Sequence, residues 1–159
     1  MKMIKNSGQM YFITASYDGI FKQFNVDTRQ KLHNYKGIHE INIYAIVLTS
    51  YGKYLFTGNN DKSVKQLNID TCQLIYHYKG IHEFNSCAIA LTRDGKYLFT
   101  NSHEKSFKQF NIDTRQLIYH YKGINEYNIW AISFTIDGKY FFTTTGVSVK
   151  QFNIYTPLI

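Results

Sequence analysis

The sequence predicts an all-β fold of repeated four-stranded antiparallel sheets, and three observations carry that expectation. The first is an internal repeat. DGKYLFTNSHEKSFKQFNIDT, from Asp94 to Thr114, returns as YGKYLFTGNNDKSVKQLNIDT from Tyr51 and as DGKYFFTTTGVSVKQFNIYT from Asp137. A more worn copy, GQMYFITASYDGIFKQFNVDT, starts at Gly8. Tyr11, Tyr54, Tyr97 and Tyr140 hold the register at steps of 43 residues, and the last copy then loses one residue, so that Lys150 answers Lys108. A fixed period of roughly 20 to 50 residues marks a repeat architecture. The second observation is composition: 44% apolar and 17% aromatic residues, with 14 Tyr and 12 Phe, suit pleated, half-buried surfaces. The third is that no stretch shows helical periodicity, and the single proline, Pro157, interrupts no strand.

Each element follows in order within the second period. Ile43 to Thr49 (IYAIVLT) is apolar on both alternating faces, as a strand buried on both sides would be. Ser50 to Gly52 turns the chain, with Gly52, Gly95 and Gly138 suited to a positive φ. Lys53 to Gly58 (KYLFTG) is the second strand, and Asn59 to Lys62 is the hairpin connection. Ser63 to Ile69 (SVKQLNI) is the third strand. Asp70 and Thr71, whose side chains can bond nearby amides, mark the next turn. Gln73 to Lys79 (QLIYHYK) is the fourth and more polar strand, fitted to an outer edge, and Gly80 to Asn85 leads back to the next inner strand. At the ends the pattern weakens. MKMIKN aligns with Tyr44 to Thr49 and makes a poor inner strand, so the first unit reads as trimmed. After Thr156 only PLI remains, so the last unit lacks an outer strand.

Four short strands per period of 43 residues predict the blades of a β-propeller, about four of them, at 1–36, 37–79, 80–122 and 123–159 of a single repeat domain. A lone sheet with two apolar faces cannot cover itself, and radial stacking covers both. A seven-bladed ring at this period needs about 300 residues, so the ring is expected to be incomplete. The chain is then a segment of a longer propeller, or pairs with a second copy into an eight-bladed ring, with compact four-bladed closure as a third arrangement.

The formal net charge of +7 admits nucleic acid or lipid headgroups as partners. The lysines argue against this, because they recur by repeat position: Lys53, Lys96 and Lys139; Lys22, Lys65, Lys108 and Lys150; Lys36, Lys79 and Lys122. Duplicated charge is spread around the molecule and reads as solvated surface. Two cysteines, Cys72 and Cys87, are too few for a disulfide framework, and the expected setting is a reducing, cytoplasmic one. The N-terminus has no secretory pattern, and the longest apolar runs are far too short to span a membrane.

The repeat also resembles the tryptophan–aspartate (WD) repeat family. GIHE at Gly37 to Glu40 and at Gly80 to Glu83 is similar to that family's Gly-His element with one residue inserted, and TRDGKYLFT and TIDGKYFFT resemble its inner-strand, turn and second-strand element. Asp18, Asp61 and Glu104 stand at the hairpin acid position. Phe24, Leu67, Phe110 and Phe152 replace the family's Trp, and Asn25, Asn68, Asn111 and Asn153 its Asp. The resemblance implies a shortened blade-stabilising hydrogen-bond network of His39 or His82 with Thr57 and Asp61, lacking an indole donor. Asn125 replaces the histidine in the third connection. It further implies a non-catalytic scaffold whose loops on one face bind proteins or peptides.

The histidines do not suggest a metal site or a catalytic base, because repeat equivalents such as His39 and His82 lie around a ring and do not converge. His77 and His120 read as surface residues of outer strands. No nucleophile triad, phosphate-binding loop or dinucleotide fingerprint is present, so neither cofactor nor catalysis is expected. Site information resides in what varies between repeats. The interaction candidates are therefore Tyr17, Asn60, Phe84, His103 and Tyr127, together with the recurring loop acids Glu40, Glu83 and Glu126, a carboxylate arc that would suit a basic partner. The alternative is a basic propeller that binds phosphate groups of lipid headgroups or nucleic acid.

Overall fold

The structure, a computed structural model, describes residues 2–6, 9–40, 42–103, 105–124 and 126–155. These residues form fifteen strands in four antiparallel sheets and no helix. The first sheet contains β1 (Lys2–Asn6), β2 (Gln9–Ala15), β3 (Phe21–Asn25) and β4 (Lys31–Tyr35). The second contains β5 (Ile43–Leu48), β6 (Tyr54–Asn59), β7 (Val64–Asn68) and β8 (Leu74–Tyr78). The third contains β9 (Ser86–Leu91), β10 (Tyr97–Ser102), β11 (Phe107–Asn111) and β12 (Leu117–Tyr121), and the last β13 (Ala131–Phe134), β14 (Tyr140–Thr144) and β15 (Val149–Asn153). In each sheet the strands lie in chain order. The ladder between third and fourth strand slips at one repeated position, between Gln23 and Phe24, Gln66 and Leu67, and Gln109 and Phe110.

Strand placement agrees with the sequence to within a residue or so, with one correction. The first sheet is not trimmed: KMIKN forms β1, and Lys2 to Asn6 pair with Ile13 to Gln9 along an unbroken ladder. The free edge of β2 supplies the main-chain donors and acceptors for that ladder, so its partner needs only to be extended. The last sheet has three strands among the described residues, as its missing QLIYHYK segment implies.

The turns show a feature the sequence reading assigned elsewhere. The side-chain oxygen of Asn68 accepts the amides of Asp70 and Thr71 at 2.9 and 3.1 Å, and Asn111 does the same for Asp113 and Thr114. Asn25 accepts the amide of Thr28 at 2.8 Å. The asparagine at the end of the third strand therefore caps the turn ahead of the Asp-Thr pair. Two residues after that aspartate, Arg29, Cys72 and Arg115 sit at φ of 58°, 58° and 63°, a left-handed conformation costly for a residue with a Cβ.

Neighbouring sheets pack through one recurring pair of faces. The trailing face offers Ile13, Phe21 and Tyr35 in the first sheet, Phe56, Val64 and Tyr78 in the second, and Phe99, Phe107 and Tyr121 in the third. The leading face that meets it offers Leu55, Leu67 and Ile69, then Leu98, Phe110 and Ile112, then Phe141, Phe152 and Ile154. These residues repeat at the period of the sequence, which is why one face pair recurs. The first interface carries a polar tie as well: Tyr35 Oη donates to Gln23 Oε1 at 2.7 Å and lies 3.2 Å from the Ile69 carbonyl across the sheet boundary. No such cluster joins the first sheet to the last among the described residues, so a closed four-bladed ring is not formed. Two inner strands, β5 and β13, are less buried than their apolar sequence suggests, because they flank an open cleft, whereas Ala88, Ile89 and Ala90 of β9 are buried. Tyr44 in β5 and Ala131 in β13 are exposed.

Candidate interaction surface

Because strands alternate in direction, the second-to-third strand hairpins and the returning loops share one end of the molecule. At that end the inner strands enclose a cleft of about 370 Å³, walled by Tyr44, Ile46, Ala88, Ile89, Trp130 and Ile132. Trp130, the single tryptophan of the chain, is 61% exposed. Its indole meets the His103 ring edge-on at 6.2 Å, and His103 Nδ1 bonds Asn128 Nδ2 at 2.8 Å. On the opposite side Tyr17, 71% exposed, meets Tyr44 edge-on at 5.9 Å.

Two sequence candidates, Tyr17 and His103, thus stand at this rim. Their partners Tyr44 and Trp130 were missed by the sequence reading, since both fall on inner-strand segments read as buried core. The available signal was the repeat itself: Trp130 stands where the previous unit has Cys87. Phe84 and Tyr127 are exposed in the returning loops. Asn60 lies in the hairpin between β6 and β7, and its backbone N–H donates to the Asn42 carbonyl at 3.1 Å. Glu40, Glu83 and Glu126 do not line the cleft. Glu83 lines a separate depression with Ser106, Lys108, His120 and Lys122, and Glu40 and Glu126 are exposed on the corresponding loops.

Behind the rim lies a buried polar network in the second sheet. His39 Nε2 is 2.5 Å from Thr57 Oγ1, and Asn59 Nδ2 donates to His39 Nδ1 at 2.5 Å. His82 makes the equivalent contact to Thr100 Oγ1 at 2.8 Å. The expected network therefore needs correction at two points. Asn59 holds His39 where Asp61 was expected, because the asparagine side chain reaches the ring nitrogen from the strand end. His82 pairs with its own sheet's Thr100 and not with Thr57. Asp61 instead accepts Ser63 Oγ and the Ser63 amide and lies 3.9 Å from Lys65 Nζ. Burial opposes ionisation of Asp61, but Ser63, Lys65 and Asn59 together hold its pKa below the ordinary value.

Desolvation, reinforced by the Lys65 charge, lowers the His39 pKa to about 4. His77 is also more than a surface residue: its Nε2 bonds Ser63 Oγ at 2.9 Å, and His120 bonds Ser106 Oγ at 3.1 Å. Ser63 thus stands between an aspartate and a histidine. In a nucleophile triad the histidine occupies that middle place, and the serine is reachable; Ser63 is 2% exposed. Where Asn125, outside the described residues, replaces the histidine, the equivalent Thr143 is fully buried and its Oγ1 has no hydrogen-bond partner among the described residues. Glu104 likewise lies outside the described residues.

One series of the repeated lysines is likewise fastened. Lys65, Lys108 and Lys150 donate from Nζ to the carbonyls of Ile38, Ile81 and Ile124, pinning each returning loop to the third strand of its own sheet. No group of three or more His, Cys, Asp or Glu side chains is placed to hold a metal ion among the described residues. No helix there is long and apolar enough to cross a membrane.

The chain superposes on the solved structure of U3-55K, a WD40 β-propeller protein, with a TM-score of 0.79 and 22% identity over 92% of this chain and 45% of that one. The fold is that of a β-propeller. This chain spans less than half the length of U3-55K. In all, 1419 solved chains match its shape, so shape by itself names no partner. No family model matches the sequence, and no curated protein does.

Proposed function

We propose that the chain is a non-catalytic, WD-repeat-like interaction module that holds a protein or peptide segment across the mouth of its inner-strand cleft. The observation that carries this reading is the exposed aromatic rim. Tyr17, Tyr44, Trp130 and His103 stand around the mouth of the inner-strand cleft, where two aromatic contacts already order their rings. Exposed aromatics ordered by their neighbours are suited to anchoring, because large areas become buried at small entropic cost. A propeller-shaped neighbour agrees with a scaffold role. An exposed thiol at Cys72 fits a reducing, cytoplasmic setting. For phosphate binding the support is weaker, since Lys65, Lys108 and Lys150 are each committed to a loop carbonyl.

Trp130 is its own reporter. Peptides selected by display against the chain are expected to shift its fluorescence to the blue, and Tyr44→Ala or Trp130→Ala to weaken them at least tenfold, about 1.4 kcal/mol. Selected peptides that bind both variants as well as the parent would refute the site. Binding that collapses with added salt would point to phosphate recognition in its place.

A further inference from the structure

The inner strands pair along one edge only. β5, β9 and β13 each end the strand order of their sheet, so the other edge turns to the cleft with no strand hydrogen-bonded to it among the described residues. Register shows which groups that edge carries. The Thr49 amide donates to the Tyr54 carbonyl at 3.0 Å, and Thr92 to Tyr97 and Thr135 to Tyr140 do the same. In an antiparallel ladder every second residue exchanges bonds with the partner, and the residues between turn their N–H and C=O away from it. Counting back from Thr49, Val47 and Ala45 bond β6 opposite Phe56 and Gly58. Ile46 and Leu48 therefore present their main-chain groups to the cleft, and by the same count Ile89 in β9 and Ile132 in β13 do so.

A recurring bulge shapes the mouth. The ladder passes over Tyr44 between Ile43 and Ala45, and over Cys87 at the same place in β9. In the last sheet the Thr144 carbonyl accepts the Trp130 amide while Thr144 stands opposite Ala131. Bulges re-aim a side chain, and here Tyr44 and Trp130 come to the same opening, 39% and 61% exposed. Of the three edges, β5 gives the cleft its longest wall, four successive residues from Ile43 to Ile46. The sheet of β5 is packed on both faces, against the first sheet and the third, so this edge owes nothing to either end of the chain.

We infer that the cleft takes an extended peptide segment of a partner protein as an added strand on β5. Its backbone bonds the N–H and C=O of Ile46 and Leu48, and one of its apolar side chains sits between Tyr44 and Trp130. This rests on the interaction-module reading and adds the conformation of the ligand and the atoms that hold it. A free strand edge is complementary to another extended backbone. A helix has already satisfied its own main-chain groups and would leave the edge unpaired. An anion would meet carbonyls alternating with amides, not a cluster of donors. Main-chain pairing supplies affinity, and the two rings select the residue between them. Since the pairing has a period of two, every second residue of the ligand must keep its N–H, which excludes proline there.

A linear peptide selected by display, read through Trp130 fluorescence, tests this when N-methylation is moved along it one residue at a time. Losses of about tenfold or more at alternate residues, with little change at those between, are expected. In the protein, Ile46→Pro removes an N–H that no ladder bond uses, so β5 should stay paired and the far-ultraviolet circular dichroism spectrum unchanged, while binding falls about tenfold. Ile46→Ala trims the side chain, keeps the N–H and should bind as the parent does. Should Ile46→Pro fail to fold, the N-methyl series decides alone. A peptide that loses affinity in Tyr44→Ala but tolerates N-methylation at every residue would overturn strand addition and leave the module reading standing. A library that yields no peptide would overturn both.

Discussion

Acid is expected to loosen this fold through one side chain, His39. Its ring is 4% exposed, and Asn59 donates to Nδ1, so Nε2 carries the proton that faces Thr57 Oγ1. A proton on Nδ1 would set one donor against another. Asn59 cannot turn over to relieve this without losing the bond its Oδ1 accepts from the Asp61 amide at 2.8 Å. Burial, with Lys65 nearby, accordingly lowers the His39 pKa from 6.5 to about 4. A base whose folded pKa lies below its unfolded value takes up a proton on unfolding. Its share of stability is whole above pH 6.5 and is lost as the pH falls towards about 4.

At pH 5 nearly every unfolded His39 is charged and about one folded ring in ten is, so the linkage relation gives a loss of about 2 kcal/mol relative to neutral pH. His77, whose pKa is also lowered, adds in the same direction. Carboxylates held below their ordinary value of 3.8, such as Asp61 and Asp94, lose their share only further down. Urea unfolding of the parent and of His39→Gln at pH 7 and pH 5 isolates the effect. The parent should lose about 2 kcal/mol more than the variant between the two values. Equal losses would refute the reasoning, as would an NMR titration of the His39 ring with a midpoint near 6.5.

Two further expectations concern single side chains. Thr57→Val removes the acceptor facing buried His39 and should cost ~1–3 kcal/mol, whereas Thr143→Val removes a buried hydroxyl that has no partner among the described residues and should gain about 1 kcal/mol. Thermal unfolding that moves both variants in the same direction would contradict the pairing described. Cys72→Gly relieves a left-handed backbone at φ 58° and, after the entropy glycine adds to the unfolded chain, should stabilise by ~0.5–1 kcal/mol in the same assay. A loss of stability would show that the turn carries no strain at that residue.

Most of the fold was legible because the repeat reports packing and strand pairing together. Leu55, Leu98 and Phe141 recur at one spacing and all end fully buried in leading faces, while Phe56 and Phe99, one residue on, face the other way. A period of two laid over a period of 43 leaves little freedom in where a strand lies or which side it buries. β1 escaped this logic because its pairing is a main-chain property of β2, to which KMIKN contributes little recognisable signal. The candidate site was half legible. Tyr17 and His103 differ from their repeat equivalents and so could be singled out. Tyr44 and Trp130 sit within apolar runs, and a run says that a residue is apolar without saying that its side chain meets an open cleft. The lysine series shows the opposite limit. Lys65, Lys108 and Lys150 look like solvated charge in sequence, but each reaches a carbonyl more than twenty residues back, a contact that exists only once the returning loop has folded beside the third strand. Repetition therefore exposes whatever every blade needs. What the cleft recognises depends on residues that occur once, and those become meaningful only when the fold brings them to the same rim.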